Sequence, residues 1–204
     1  MGFYRDRVLP HLIHAAMRQE HLAAYRRRVA AAADGVVLEI GVGSGLNLPF
    51  YPSGVTRIVG IDPSAKLLAM AREAASSSRV PVDLVDGSVE VIPLGDGTVD
   101  TVVTTWTLCS MADVERGLSE VRRVLKPHGA LLFVEHGLAP DARVRRWQDR
   151  LTPVWKRIGG GCHLNRAVPT LVEDAGFRIE RIESGYADGP RPMAFMYEGR
   201  ARPA

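Results

Sequence analysis

Short runs rich in branched apolar residues recur at 36–40, 56–61, 81–85, 99–105 and 130–135, and each predicts a β-strand. The run Ala130–Glu135 is apolar almost throughout, as expected for a sheet covered on both faces. Between these runs the apolar period changes from two to about 3.6. Leu67, Leu68, Ala71 and Ala74 predict one helix, with Ser64 as its N-cap and Ser76-Ser77-Ser78 as its end. Val114, Leu118, Val121 and Leu125 predict another, halted by Lys126-Pro127-His128-Gly129. Asp34-Gly35 and Asp96-Gly97 mark turns. A basic helix over about 142–157 leads into Gly159-Gly160-Gly161. A helix over about 166–175 follows, then strands near 177–183 and 193–199. Ahead of the first strand, Leu9, Leu12, Ile13, Ala16 and Met17 repeat at helical spacing. Alternating strands and helices predict an α/β chain with a doubly wound, mostly parallel sheet of seven strands. The whole is expected to be one domain, with 1–34 as a helical cap or lid on a core at 35–204.

Ligands of such sheets lie beyond the carboxyl ends of the strands. Gly41–Gly45, Asp62, Ser88, Trp106–Ser110 and His136 all fall there. Glycines at 41, 43 and 45 allow positive φ and leave main-chain N–H groups accessible to a ligand. Asp62 ends the second strand, 21 residues after Gly41, where a carboxylate can accept both hydroxyls of a ribose. The dinucleotide fingerprint is G-x-G-x-x-G, whereas this chain has G-x-G-x-G preceded by Glu39. Pro49, four residues past Gly45, makes the following helix short or displaced and weakens its dipole for a pyrophosphate. Glu39 repels a diphosphate and attracts a cationic amino-acid moiety. S-adenosylmethionine, with a ribose, an ammonium, a sulfonium and no phosphate, has the matching chemistry. A nicotinamide-dependent oxidoreductase would keep the Asp62 contact but is disfavoured by Glu39, the early third glycine and Pro49. A cofactor-binding module without catalysis is the remaining alternative.

The pattern E-x-G-x-G-x-G with the distal acid resembles the class I S-adenosylmethionine-dependent methyltransferases. The resemblance extends over about 36–200 and implies a Rossmann-like fold with S-adenosylmethionine as cofactor and S-adenosylhomocysteine as product. It implies that Ser88 and the Val89 backbone lie along adenine. Pro63, just after Asp62, and Thr105, at the end of the fourth strand, are expected in the same cofactor cleft. Val124-Leu125-Lys126-Pro127-His128-Gly129 matches the turn before the fifth strand. A finer resemblance is to the small methyltransferases of alkyl thiols and hydrogen sulfide in the methyltransferase-like group. It is carried by Asn47-Leu48-Pro49-Phe50-Tyr51-Pro52, Ile61-Asp62-Pro63, Thr107-Leu108-Cys109-Ser110, Val134-Glu135-His136 and Gly161-Cys162. Its animal members begin with a hydrophobic anchor that has no counterpart here, so membrane residence is not implied. Phospholipid N-methyltransferases and quinone-ring C-methyltransferases share the general frame.

Within that frame His136 is the candidate for handling an acceptor proton, since an imidazole of pKa near 6.5 can accept one at neutral pH. Trp106, Cys109 and His163 are candidates for the acceptor pocket. Trp147 and Trp155, eight apart on the basic helix, could face one apolar pocket. Methyl transfer needs no enzyme nucleophile, and the acceptor is expected to be a small molecule, with a thiol or sulfide preferred.

Composition adds limits. The chain has 204 residues and a net charge of +3. Residues 1–30 and 141–157 are each net +4, which leaves the remainder negative. Such helices can serve an anionic lipid surface, so peripheral membrane contact stays open, but they are more often solvated faces. No aromatic-interleaved basic stretch or nucleic-acid motif occurs, so nucleic acid is not expected as a partner. No run reaches the roughly 20 apolar residues of a membrane span, and no signal peptide is recognisable. Two cysteines suit a reducing cytosol. Cys162-His163 lacks companions at ligand spacing in the sequence, so no metal is expected.

Overall fold

In the computed structural model, which describes residues 2–204 (Arg5 by its backbone alone), the apolar runs form one seven-stranded sheet. The strands are β1 Gly35–Ile40, β2 Val55–Asp62, β3 Val82–Asp86, β4 Val99–Thr105, β5 Leu125–His136, β6 Phe177–Tyr186 and β7 Phe195–Pro203. Their order is β3, β2, β1, β4, β5, β7, β6. Neighbours from β3 to β5 are parallel, while β7 runs antiparallel to both β5 and β6. The helices are α1 Leu9–Met17, α2 Glu20–Ala31, α3 Ala65–Ala75, α4 Val114–Val124, α5 Ala142–Ile158, α6 Val168–Asp174 and α7 Arg191–Ala194. A single π turn, Tyr4–Val8, leads into α1.

The near-continuous apolar strands are explained by the two cores they serve. Leu38, Val102, Leu131 and Phe133 pack on one face with Leu118 and Val121 of α4 and Val168 and Val172 of α6. Their neighbours Val37, Val103, Leu132 and Val134 pack on the other with Val29 of α2 and Leu48. Period-two alternation thus divides the strands between two apolar layers. The connection from β3 back to β4, which pairs with the other edge of β1, reverses the direction in which strands are added, and the crevice beyond the carboxyl ends opens at the β1–β4 switch point.

Four expectations are corrected here. The N-terminal segment is two helices, because Gln19 is extended (φ −62°, ψ 138°) and starts α2 afresh. Leu12, read as part of the apolar stripe, is 53% exposed. The Lys126–Gly129 turn does not precede the fifth strand but lies within it: Leu125 already pairs with Val99, and a register shift then absorbs the proline-glycine stretch. Trp147 is 50% exposed with the Arg150 guanidinium over its ring, while Trp155 packs with Cys109, Cys162 and Leu164. The two tryptophans therefore share no pocket. Eight residues rotate a helix by about 80°, enough to separate them.

The basic triplet of α2 is largely used within the fold. Arg26 is buried, Arg27 lies over Phe50, and Arg28 pairs with Glu198. On α5, by contrast, Arg143, Arg145, Arg146 and Arg150 are all exposed. None of the described helices is long and apolar enough to cross a membrane.

Candidate functional site

A cavity of about 1180 Å³ lies at the strand ends, between the glycine loop, the 106–112 loop and the N-terminal helices. Leu9, Ile13, His14 and Met17 of α1 form one wall, and His14 Nδ1 is 2.7 Å from the Ser44 hydroxyl of the glycine loop. Ligand pockets commonly measure ~300–1,000 Å³, so this one has room for more than one small molecule.

Gly41, Gly43 and Gly45 all have positive φ (67°, 54° and 79°). A Cβ on Gly41 would sit 2.1 Å from Thr107 Oγ1, whereas one on Gly43 would meet nothing closer than 3.8 Å. Gly41 therefore permits close packing of the loop, and Gly43 leaves its backbone open to the cavity. Gly45 does not line the cavity: a Cβ there would press on Leu48 and on Ala71 and Ala74 of α3. Its place is in the seam between loop and helix.

Asp62 is buried at the end of β2. Its Oδ2 accepts the Gly43 N–H at 3.0 Å and its Oδ1 accepts the Ser64 N–H at 2.8 Å. Each oxygen retains capacity for one more donor. Burial raises its pKa against those two backbone bonds. Pro63, Ser88 and Val89 line the cavity beside it, Ser88 exposed and Val89 buried.

Glu39 is 1% exposed, and its two oxygens accept from Asn47 Nδ2 and Tyr51 Oη, both at 2.8 Å. Asn47 also donates to Thr105 Oγ1 at 3.1 Å, which ties strands β1 and β4 through one amide. Burial pushes the Glu39 carboxyl up to about 7, opposed by the Tyr51 and Asn47 bonds and by the Arg26 charge. The folded chain then holds a proton that the unfolded chain releases near 4.5, so this group's contribution to stability is lost as pH rises from about 4.5 through about 7. Urea unfolding across that window should show wild type losing on the order of 3 kcal/mol relative to Glu39→Gln. Parallel profiles for the two proteins would mean that Glu39 stays charged throughout.

Trp106 is the one non-glycine residue with positive φ (53°) among the described residues. Its indole donates to Met196 Sδ at 3.4 Å and carries the Arg26 guanidinium 4.6 Å from the ring centroid. Arg26 donates to the Met17 carbonyl, and burial lowers its pKa to about 10. The loop that follows is organised from below by Glu135. Its Oε1 accepts from Thr104 Oγ1 at 3.0 Å and from the N–H groups of Thr107 and Leu108 at 2.8 and 3.0 Å. Arg166 holds the same loop from the other side through the Leu108 and Met111 carbonyls.

Beyond Trp106 the wall becomes sulfur-rich: Cys109, Cys162, Met193 and Met196 join Trp155 and Leu164. His136, the last residue of β5, places Nε2 3.0 Å from Cys162 Sγ, and its Nδ1 is buried without a partner. Burial alone would lower the His136 pKa, but the Cys162 bond and charge raise it. Cys162 is drawn down by the neighbouring Cys109 thiol and by His136, while Cys109 is pushed up. His163, expected in the pocket, does not line it. Its backbone N–H and its ring Nδ1 both engage the Cys109 carbonyl, because the flanking Cys162 and Leu164 take the inward positions.

Sequence reasoning missed Arg26 as a pocket residue, the Asn47 and Tyr51 clamp on Glu39, and the convergence of Cys109 and His136 on Cys162. Asn47 and Tyr51 stood within a quoted motif and could have been found as donors for a buried acid. The three-residue cluster has no local spacing to betray it.

Comparison with known proteins agrees with this geometry. A family described as a methyltransferase domain matches residues 38–133. The chain is 36% identical over 151 residues to the thiol S-methyltransferase TMT1B of Rattus norvegicus, a match covering 72% of this chain and 62% of that protein. It is 40% identical over 163 residues to the phosphatidylethanolamine N-methyltransferase of Cereibacter sphaeroides, covering 78% of each. Among solved structures, an S-adenosylmethionine-dependent methyltransferase from Methanosarcina mazei superposes with a TM-score of 0.68 at 22% identity, covering 83% of this chain and 92% of that one.

Proposed function

Since this chain belongs to the class I S-adenosylmethionine-dependent methyltransferases, we propose that it methylates the sulfur of a small, lipophilic thiol. The observation that carries this reading is the sulfur-lined, largely apolar wall beside His136, at the far end of a cavity whose near end is the glycine loop. Soft, polarisable side chains suit an apolar sulfur acceptor. The thiol S-methyltransferase relative supports the same acceptor class.

The near end fits the cofactor. Gly43 leaves the backbone bare, Asp62 keeps accepting capacity on both oxygens, and Glu39 places a buried carboxyl behind the loop, where a cationic ligand would favour its charged form. In this proposal Asp62 holds the ribose diol, Gly41 and Gly43 with Glu39 receive the methionyl end, and Ser88 and Val89 lie along the base. Pro63 and Thr105 close the walls. Trp106 divides the cofactor end from the acceptor end.

When bound, the cofactor supplies a methyl group already made electrophilic by its sulfonium. The chain's task is then to align the acceptor for in-line displacement, and alignment of this kind is worth ~7–11 kcal/mol. A free thiol of pKa about 8.5 is only a few per cent thiolate near neutrality. His136 promotes loss of that proton at the acceptor end, and α1 keeps bulk water from the cavity. Two free cysteines suit a reducing cytosolic setting.

A second reading, N-methylation of phosphatidylethanolamine at a membrane surface, is favoured by the exposed basic face of α5 with Trp147, Val154 and Ile158 beside it. An acceptor screen with labelled cofactor separates the two. Alkyl thiols and sulfide should be methylated in lipid-free buffer, at least tenfold faster than phosphatidylethanolamine vesicles or phenols. Vesicle methylation without thiol turnover would replace the first reading with the second.

A further inference from the structure

Three stretches far apart in the chain deliver Cys109, His136 and Cys162 to one point. Cys109 comes from the loop after β4, His136 from the tip of β5, and Cys162 from the glycine loop after α5. Their Sγ and ring nitrogen atoms all lie within 4.8 Å of one another. The residues are 3%, 8% and 9% exposed, and all three line the cavity. Neither cysteine is in a disulfide.

We propose that these three residues form a zinc site whose fourth position receives the acceptor sulfur. The second half of that statement rests on the thiol reading above. Two thiolates and an imidazole are a soft donor set that selects zinc over hard cations. Three protein ligands with one position open is the arrangement of reactive zinc, whereas structural zinc has four. Two thiolate charges balance the dication, so the filled site carries no net charge into its apolar surroundings of Leu151, Trp155, Leu164 and Met193. The His136 imidazole is buried with its Nε2 turned into the cluster, 3.0 Å from Cys162 Sγ, which is the orientation a ligand needs. The open side faces the cavity in which Trp106 and Met196 also stand.

The chemistry balances without a further reagent. The acceptor R–SH binds zinc as thiolate and releases its proton to water. The zinc-held sulfur's lone pair then forms the new bond to the methyl carbon. The carbon–sulfonium bond breaks as it does so, and its electron pair stays on the donor sulfur. The product R–S–CH₃ is a neutral thioether and a poor zinc ligand, so it leaves. Zinc thus does for the acceptor what a general base would otherwise do, and His136 acts on the acceptor proton through the metal.

The test uses the full chain stripped with a chelator and titrated with zinc or cobalt(II), which requires no variant to fold. About one metal per chain should bind, and cobalt should give a thiolate-to-metal charge-transfer band that shifts when butanethiol is added. Cys109→Ser and Cys162→Ser, checked for folding by circular dichroism, should each cut metal retention at least about tenfold. Butanethiol methylation by the stripped chain should fall about 100-fold and return with zinc. A stripped chain that binds no metal yet methylates butanethiol at the full rate overturns the zinc site and leaves the thiol reading standing. A bound metal whose band ignores butanethiol, with no butanethiol methylated, overturns the fourth-position assignment together with the thiol reading.

Discussion

Asp62→Ala should weaken S-adenosylmethionine binding by at least about 100-fold, measured by calorimetry on protein shown to be folded. The carboxylate is proposed to accept two ribose hydroxyls, and hydrogen bonds to a charged acceptor contribute ~1.5–3 kcal/mol each. At about 1.4 kcal/mol per decade, two such bonds already reach that factor. The substitution removes more than these contacts. Asp62 also holds Gly43 through its backbone N–H at 3.0 Å, and so fixes the loop that the cofactor must approach. Asp62→Asn should not rescue binding, because its amide NH₂ would confront the Gly43 or Ser64 N–H, donor against donor. Affinity unchanged in Asp62→Ala would remove Asp62 from the site.

Glu135→Ala should lower the folding stability by about 3–5 kcal/mol, read from urea unfolding. Glu135 is fully buried, and one oxygen gathers Thr104 Oγ1 and the N–H groups of Thr107 and Leu108. Removal strands three donors, two of them backbone, with those of Thr104 and Leu108 fully buried, and each stranded group costs ~1–3 kcal/mol. The loop freed by this change carries Trp106 and Cys109, so activity should fall with stability. Glu135→Gln keeps an oxygen of the same reach, and should recover more than half of the lost stability. Burial raises the Glu135 pKa, which makes a neutral replacement better tolerated at this position. A Glu135→Ala protein within 1 kcal/mol of wild type would show that the loop finds other acceptors.

The sheet was legible because its strands are buried on both faces. Val37 and Leu38, or Leu132 and Phe133, serve opposite layers, so the runs stay apolar and conspicuous. The glycine loop and Asp62 were legible because close backbone approach demands particular residue types at fixed spacing. Gly45 shows the limit of that reasoning: it belongs to the same motif, yet the space it protects is occupied by α3. The break at Gln19 left no mark, since neither proline nor glycine stands there to impose it. The strand through Pro127 and Gly129 was hidden by residues that usually end one, and only a register shift lets them stay. Cys109, His136 and Cys162 are separated by too many residues for any spacing rule, and three-dimensional topology alone brings them together.

The two ends of the cavity have different origins in the chain. The loop and carboxylate at one end come from β1, β2 and the turn between them. The other end adds residues 155–164 and residues 188–196, both outside the strands at the switch point, to Trp106, Cys109 and His136. Substitutions in those two borrowed stretches can therefore reshape what the molecule accepts while its hold on the donor stays intact. That division of labour gives lineages with this fold a way to diverge in chemistry without rebuilding the sheet.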